Sequence, residues 1–202
     1  TASQNTGIGF GALGGNITGA GNTAIGANAL LVSTGNYSTA VGHNALTANT
    51  SATNGVAVGH NALAANTTGA SNTAVGKTAL AVNTTGAQNT AVGIEAGAAV
   101  TTGTYNDFFG FRAGDATTTG AANVGIGSNS LGANTTANNN TAVGLNAMVT
   151  NTTGAANVAV GAYALDANTD ADNNTAIGIY ALSDNTTGAQ NTAVGSYALD
   201  AN

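Results

Sequence analysis

A phrase that returns every 17 residues constrains this chain more than any other feature. Aligned on the glycine of Ala-Val-Gly, the copies are anchored at Gly9, Gly26, Gly42, Gly59, Gly76, Gly93, Gly110, Gly127, Gly144, Gly161, Gly178 and Gly195. Of the eleven intervals, ten are 17 residues and one is 16, where Ser33-Thr34-Gly35 replaces the Asn-Thr-Thr-Gly seen at residues 66–69. A deletion tolerated in that polar segment marks it as a turn. Residues 1–202 therefore form a single repeat domain of twelve units, with no cap residues visible at either end.

The working unit is N-T-A-V-G-x-x-A-L-x-x-N-T-T-G-A-x. Its Ala-Val or Ala-Ile pair favours a short strand, and Gly, Asn and Thr punctuate the corners. A helix pair needs a longer unit and fewer interior glycines than the 30 present here. Seventeen residues suit one coil of a β-solenoid, so the expected fold is an all-β parallel β-solenoid (β-roll) of twelve coils. At about 4.8 Å per coil it makes a rod of about 55–60 Å.

Equivalent positions then stack into files. The file before the anchor glycine runs from Ile8 through Val75 and Phe109 to Val194 and is expected to form the core. Four residues after the anchor stands a leucine file, interrupted by Gly97 and Gly114. Two before the anchor every residue is Ala or Gly except Phe108. Losing two stacked leucines leaves a void that a nearby phenylalanine can refill. Phe108, with Phe109 beside it in the core file, is thus expected to pack over Gly97 and Gly114 as a repacked core and not as a ligand pocket. The Ala/Gly file is left facing outward on this reading, and identical chains are expected to cover it. The predicted partner is the chain itself, as a parallel homo-oligomer and most simply a homotrimer.

The phrase N-T-A-V-G-x-x-A-L, as in residues 72–80 and 191–199, resembles the head repeats of YadA-like trimeric autotransporter adhesins and similar repeats of bacteriophage tail fibres. The resemblance covers essentially the whole chain. It implies a trimeric left-handed parallel β-roll that displays a binding surface away from a cell or virion. Adhesin head repeats are usually shorter than this unit, and the longer form with N-T-T-G looks more like the fibre-type variant.

Composition narrows the function. Two Lys plus Arg against eight Asp plus Glu leave no basic surface for phosphates, which argues against nucleic acid as a partner. No apolar run approaches membrane-spanning length, and the absence of Cys fits an extracellular, cell-surface or virion location. Material for an enzyme is scarce: no catalytic, cofactor or metal site is assigned. His43 and His60 share one file a coil apart and are expected to stack. Glu95 and Arg112 share another and are expected to pair across coils, while Lys77 has no obvious partner. That file ends in Tyr163, Tyr180 and Tyr197, an aromatic ladder that either stabilises the sheet face or forms the one candidate recognition surface, for a glycan or protein receptor. Asp166, Asp170, Asp172, Asp184 and Asp200 read as a solvated acidic face, and the asparagine files as polar ladders along the stack.

The expected function is a non-enzymatic, elongated fibre or adhesin-type protein for surface attachment or receptor recognition. One alternative is a filament subunit that polymerises end to end, since both ends enter and leave the repeat nearly in phase; another is a tail-fibre shaft. A third is ice binding by the file of Thr6, Thr23, Thr39, Thr73, Thr90, Thr141, Thr175 and Thr192, which Val56, Asp107, Val124 and Val158 interrupt.

Overall fold

Each copy of the repeat begins with a three-residue strand that a glycine closes. The structure, a computed structural model, describes residues 2–200. Among these residues twelve strands run from β1 (Thr6–Ile8), β2 (Thr23–Ile25) and β3 (Thr39–Val41) through β7 (Asp107–Phe109) to β12 (Thr192–Val194). They form one sheet in sequence order, each strand parallel to the next. The register sets like on like: Thr23 faces Thr39, Ala24 faces Ala40 and Ile25 faces Val41. That pair of strands spans the 16-residue interval, so the missing residue is absorbed in the turn and the ladder is undisturbed. The fold is thus a parallel β-solenoid with one coil per repeat.

The strands are short because of the anchor glycines. Their φ values run from +125° at Gly127 to +142° at Gly76, a region L side chains rarely occupy. Space forbids a side chain as well. A Cβ on Gly26 would lie 2.6 Å from the carbonyl oxygen of Gly42, and one on Gly42 would lie 2.5 Å from that of Gly59. At this corner, consecutive coils touch backbone to backbone.

Inside the roll the sequence reading needs a correction. The middle residue of each strand points inward, so Ala24, Ala40, Ala57, Ala74, Ala91, Ala142, Ala159 and Ala176 are buried within the single chain. The file before the anchor points outward: Ile25 and Ile177 are 39% and 40% exposed. Phe109, at 40%, belongs to this outer file and not to the core. The cause is the width of the roll. Leu30, Leu46, Leu63, Leu80, Leu131, Met148, Leu165 and Leu182 enter from the opposite wall and are fully buried. Where glycine holds the middle position in β1, a Cβ on Gly7 would stand 3.5 Å from Leu13 Cδ1, so a methyl is what fits there. The alanine face is therefore closed by the chain's own leucines and is not available to a sister subunit.

Directing those leucines inward has a conformational cost. Leu30 and Leu80 sit at φ +47° and +48°, and each left-handed non-glycine residue costs about 1–2 kcal/mol. Burial of the side chain, worth roughly 1.5–3 kcal/mol, offsets it.

Phe108 is fully buried and fills the gap in the leucine file as expected. A Cβ on Gly97 would lie 3.0 Å from Phe108 Cδ2, and one on Gly114 would collide with the Cε1 and Cζ atoms of the same ring. Two further members of this block escaped the sequence reading. Gly125 replaces alanine in the next strand, where a Cβ would stand 3.1 Å from Phe108 Cδ1. Val100 replaces an asparagine and brings Cγ2 to 3.4 Å from the Gly97 Cβ position.

The remaining interior is polar. Asn89 is buried: its backbone N–H and Nδ2 donate to Asn72 Oδ1 at 2.9 and 3.2 Å, and Nδ2 also donates to the Gly103 carbonyl at 2.8 Å. Asn106 repeats the pattern one coil on. A second file does the same across the turn, with Asn83 Nδ2 donating to Asn66 Oδ1 and to the Gly86 carbonyl, both at 2.9 Å. Val100 cannot continue that file, and the buried Asn83 Oδ1 is left without a partner. The Asn-Thr-Thr triplets are thus internal ladders, with their asparagines enclosed.

The block around Phe108 yields a compensation test. Phe108→Ala alone should destabilise the roll by about 3–5 kcal/mol in chemical denaturation. Adding Gly97→Leu and Gly114→Leu, which restores the common file, should recover most of that loss.

Candidate functional site

The surface features fall on different files, and each follows from the coil step. Tyr163, Tyr180 and Tyr197 stand two residues after their anchor glycines, at φ values of +59°, +55° and +56° that aim all three side chains alike. Their rings stack at 4.9 and 5.2 Å between centroids, with planes 4° and 16° apart. The faces of Tyr180 are therefore taken by its neighbours. What the ladder offers to solvent is a row of ring edges and hydroxyls.

His43 and His60 stack in the same manner, 5.4 Å apart and within 8° of parallel, and both are exposed. Lys77 follows them in the file one coil later and is exposed too.

Arg112 and Glu95 pair across coils, Nε to Oε2 at 3.2 Å. The same Nε also donates to Asp115 Oδ2 at 2.8 Å, a partner missed because it lies three residues on within the turn. The Arg112 guanidinium also lies 6.0 Å from the Phe111 ring centroid. Both members of the cross-coil pair are well exposed, so this cluster contributes little to stability.

The outer face of the sheet carries the largest apolar feature. The file running from Ile8 and Ile25 through Val58, Phe109, Ile126, Val160 and Ile177 to Val194 is exposed at these residues, and its other members, Val41, Val75, Val92 and Val143, are half-buried. Ile94 and Phe111, both 49% exposed, flank it two residues away. The strand threonines form the parallel outer file beside it. Asp107 is the single charged residue in these two files, and the other acidic side chains lie elsewhere.

On the turn side, threonine hydroxyls continue the ladder logic. Thr67 Oγ1 donates to the Thr84 carbonyl at 3.0 Å, Thr84 to Thr101 and Thr101 to Thr118, both at 3.1 Å. This file is more complete than the strand threonine file that sequence reading singled out. Its hydroxyls serve the next coil's backbone.

The acidic residues near the far end interact weakly. Burial pushes the Asp166 carboxyl above the usual carboxylate range, and the nearby Asp184 charge pushes it the same way. Because the folded state holds that proton to higher pH than the unfolded chain, stability falls as pH rises through the raised value. Asp166→Asn should therefore raise the melting temperature at neutral pH, by no more than about 1 kcal/mol in stability. The gain should shrink as pH falls toward the ordinary Asp value and vanish by about pH 3, where both states are protonated; thermal melts across that range read it directly.

Searched against family models, curated proteins and solved structures, the chain has no significant match in any of the three.

Proposed function

We propose that this chain is a segment of a surface fibre of the adhesin or tail-fibre kind, assembled as a parallel homo-oligomer through its outer Val/Ile face. The observation that carries the reading is the uninterrupted apolar file on the outside of a roll whose inside is already full. Alanines, leucines and asparagines close the interior within one chain. The valines and isoleucines are not needed there, yet they recur in every coil but one, where Phe109 takes the place.

A partner for such a file must present contacts at the coil step of about 4.8 Å over a length of about 53 Å. A second copy in parallel does so by construction. Low charge on that face favours close approach, and the exposed Ile94, Phe109 and Phe111 supply the bulky anchors that interfaces concentrate. The likeness of the repeat to adhesin head repeats supports three subunits and a left-handed roll. The file lies outside each roll, so trimerisation leaves the turn faces, the tyrosine ladder and the acidic side free to meet a receptor or glycan. No enzymatic step enters this reading.

The ice-binding alternative uses the same outer face, because the strand threonines stand beside the valines. Assembly covers that face, and so the two readings exclude each other. A monomer with thermal hysteresis supports ice binding, and an oligomer without it supports the fibre.

Sedimentation velocity should show the wild-type chain as an oligomer. Val75→Asp combined with Val92→Asp should give a monomer with unchanged β-sheet circular dichroism, because both positions face out. A wild-type chain that sediments as a monomer at high concentration would sink the proposal.

A further inference from the structure

The tyrosines are distributed in a way that the fibre reading does not explain. Three of the five form the stack described above, 4.9 and 5.2 Å apart. Tyr37 and Tyr105 are in another file, five residues before their anchors and four coils apart, next to Gly21 and Asn54 in one case and Gln88 and Ala122 in the other. Both are well exposed, and neither has a tyrosine neighbour in its file.

The rest of the chain offers few competing sinks for an oxidant. It has no Cys and no Trp, and its single methionine, Met148, is fully buried. Phenol rings are therefore the most readily oxidised groups at its surface. A hole placed on any ring of the stack is one coil step from another phenol, and the parallel rings set their ortho carbons along the same edge.

We propose that the Tyr163–Tyr180–Tyr197 ladder is an oxidative cross-linking site, at which a one-electron oxidant of the peroxidase and hydrogen peroxide class joins neighbouring phenols as dityrosine within one chain. Each of two adjacent tyrosines gives up one electron and its hydroxyl proton. The two phenoxyl radicals then combine, forming a carbon–carbon bond between ortho positions. The hydrogens on those carbons pass to the phenolic oxygens as the rings regain aromaticity. The pair has lost two electrons and two protons in all, and one hydrogen peroxide takes them up to become two waters. The product ties one coil covalently to the next, in a protein that has no disulfide to do so. It concerns a single chain and holds whether or not the subunits assemble.

The test treats dilute full-length protein with peroxidase and limiting hydrogen peroxide. Chains that run as monomers on a denaturing gel are then digested and mapped by mass spectrometry. Expected are linked peptides that have lost two hydrogens, joining Tyr163 to Tyr180 or Tyr180 to Tyr197, in a yield that dilution does not change. Tyr180→Phe should remove both links, because Tyr163 and Tyr197 are then about 10 Å apart with no phenol between them. Tyr163→Phe should leave only the link between Tyr180 and Tyr197, which keeps the test informative if one variant folds poorly. The double variant Tyr37→Phe and Tyr105→Phe should keep the wild-type intrachain yield. Links that mainly involve Tyr37 or Tyr105, a yield that falls on dilution, or cross-links that survive in Tyr180→Phe would each overturn the proposal.

Discussion

Everything in this roll depends on how closely one coil's backbone lies on the next at the anchor glycine. Approach at that corner leaves no room for a Cβ and demands a φ that L side chains avoid. With the corner fixed, each strand must restart at the same height in the next coil. The in-register parallel ladder follows, and with it the stacking of like on like in every other file. The glycine sets the pitch, and the side chains only decorate it.

A roll this narrow cannot hold a conventional core. In most coils one leucine and the alanine methyls it meets fill the apolar half, while asparagines fill the polar half by donating to the carbonyls of the turn ahead. A buried amide is costly unless satisfied, and the ladder satisfies it by giving each asparagine a neighbour of its own kind. Two buried amide atoms among the described residues go unpartnered, Asn174 Nδ2 and Asn83 Oδ1. The second lies where Val100 breaks the turn file, beside the stretch of the leucine file that is rebuilt around Phe108.

Periodicity made most of the fold legible. The 17-residue step, the turn at the 16-residue interval, the leucine file and the stacking of His43 on His60 all follow from spacing alone. The direction of Phe108 could also be read, because Gly97 and Gly114 leave a hole in a file whose burial was plain. The direction of the valines could not. In a three-residue strand with apolar residues at neighbouring positions, alternation marks two faces without saying which is inside. The deciding quantity is the inner width, set by leucines that arrive from the opposite wall. The left-handed turns were nearly as hidden. Asn28, Asn44 and Asn61 hint at them, but Tyr163 and Leu30 adopt the same region with no preference of their own. Asp115 joined Arg112 because the turn folds back on itself, which a comparison of files does not show.

The block around Phe108 divides the chain into two kinds of coil. Elsewhere neighbouring coils present nearly the same residues to each other, so one can be lost or duplicated and the seam still closes. Coils from Gly97 to Gly125 cannot be shuffled that way: the phenylalanine fits only where glycines lie above and below it. Recombination between copies can lengthen or shorten this rod in whole steps, yet it must carry that stretch intact, as a keyed splice among interchangeable links.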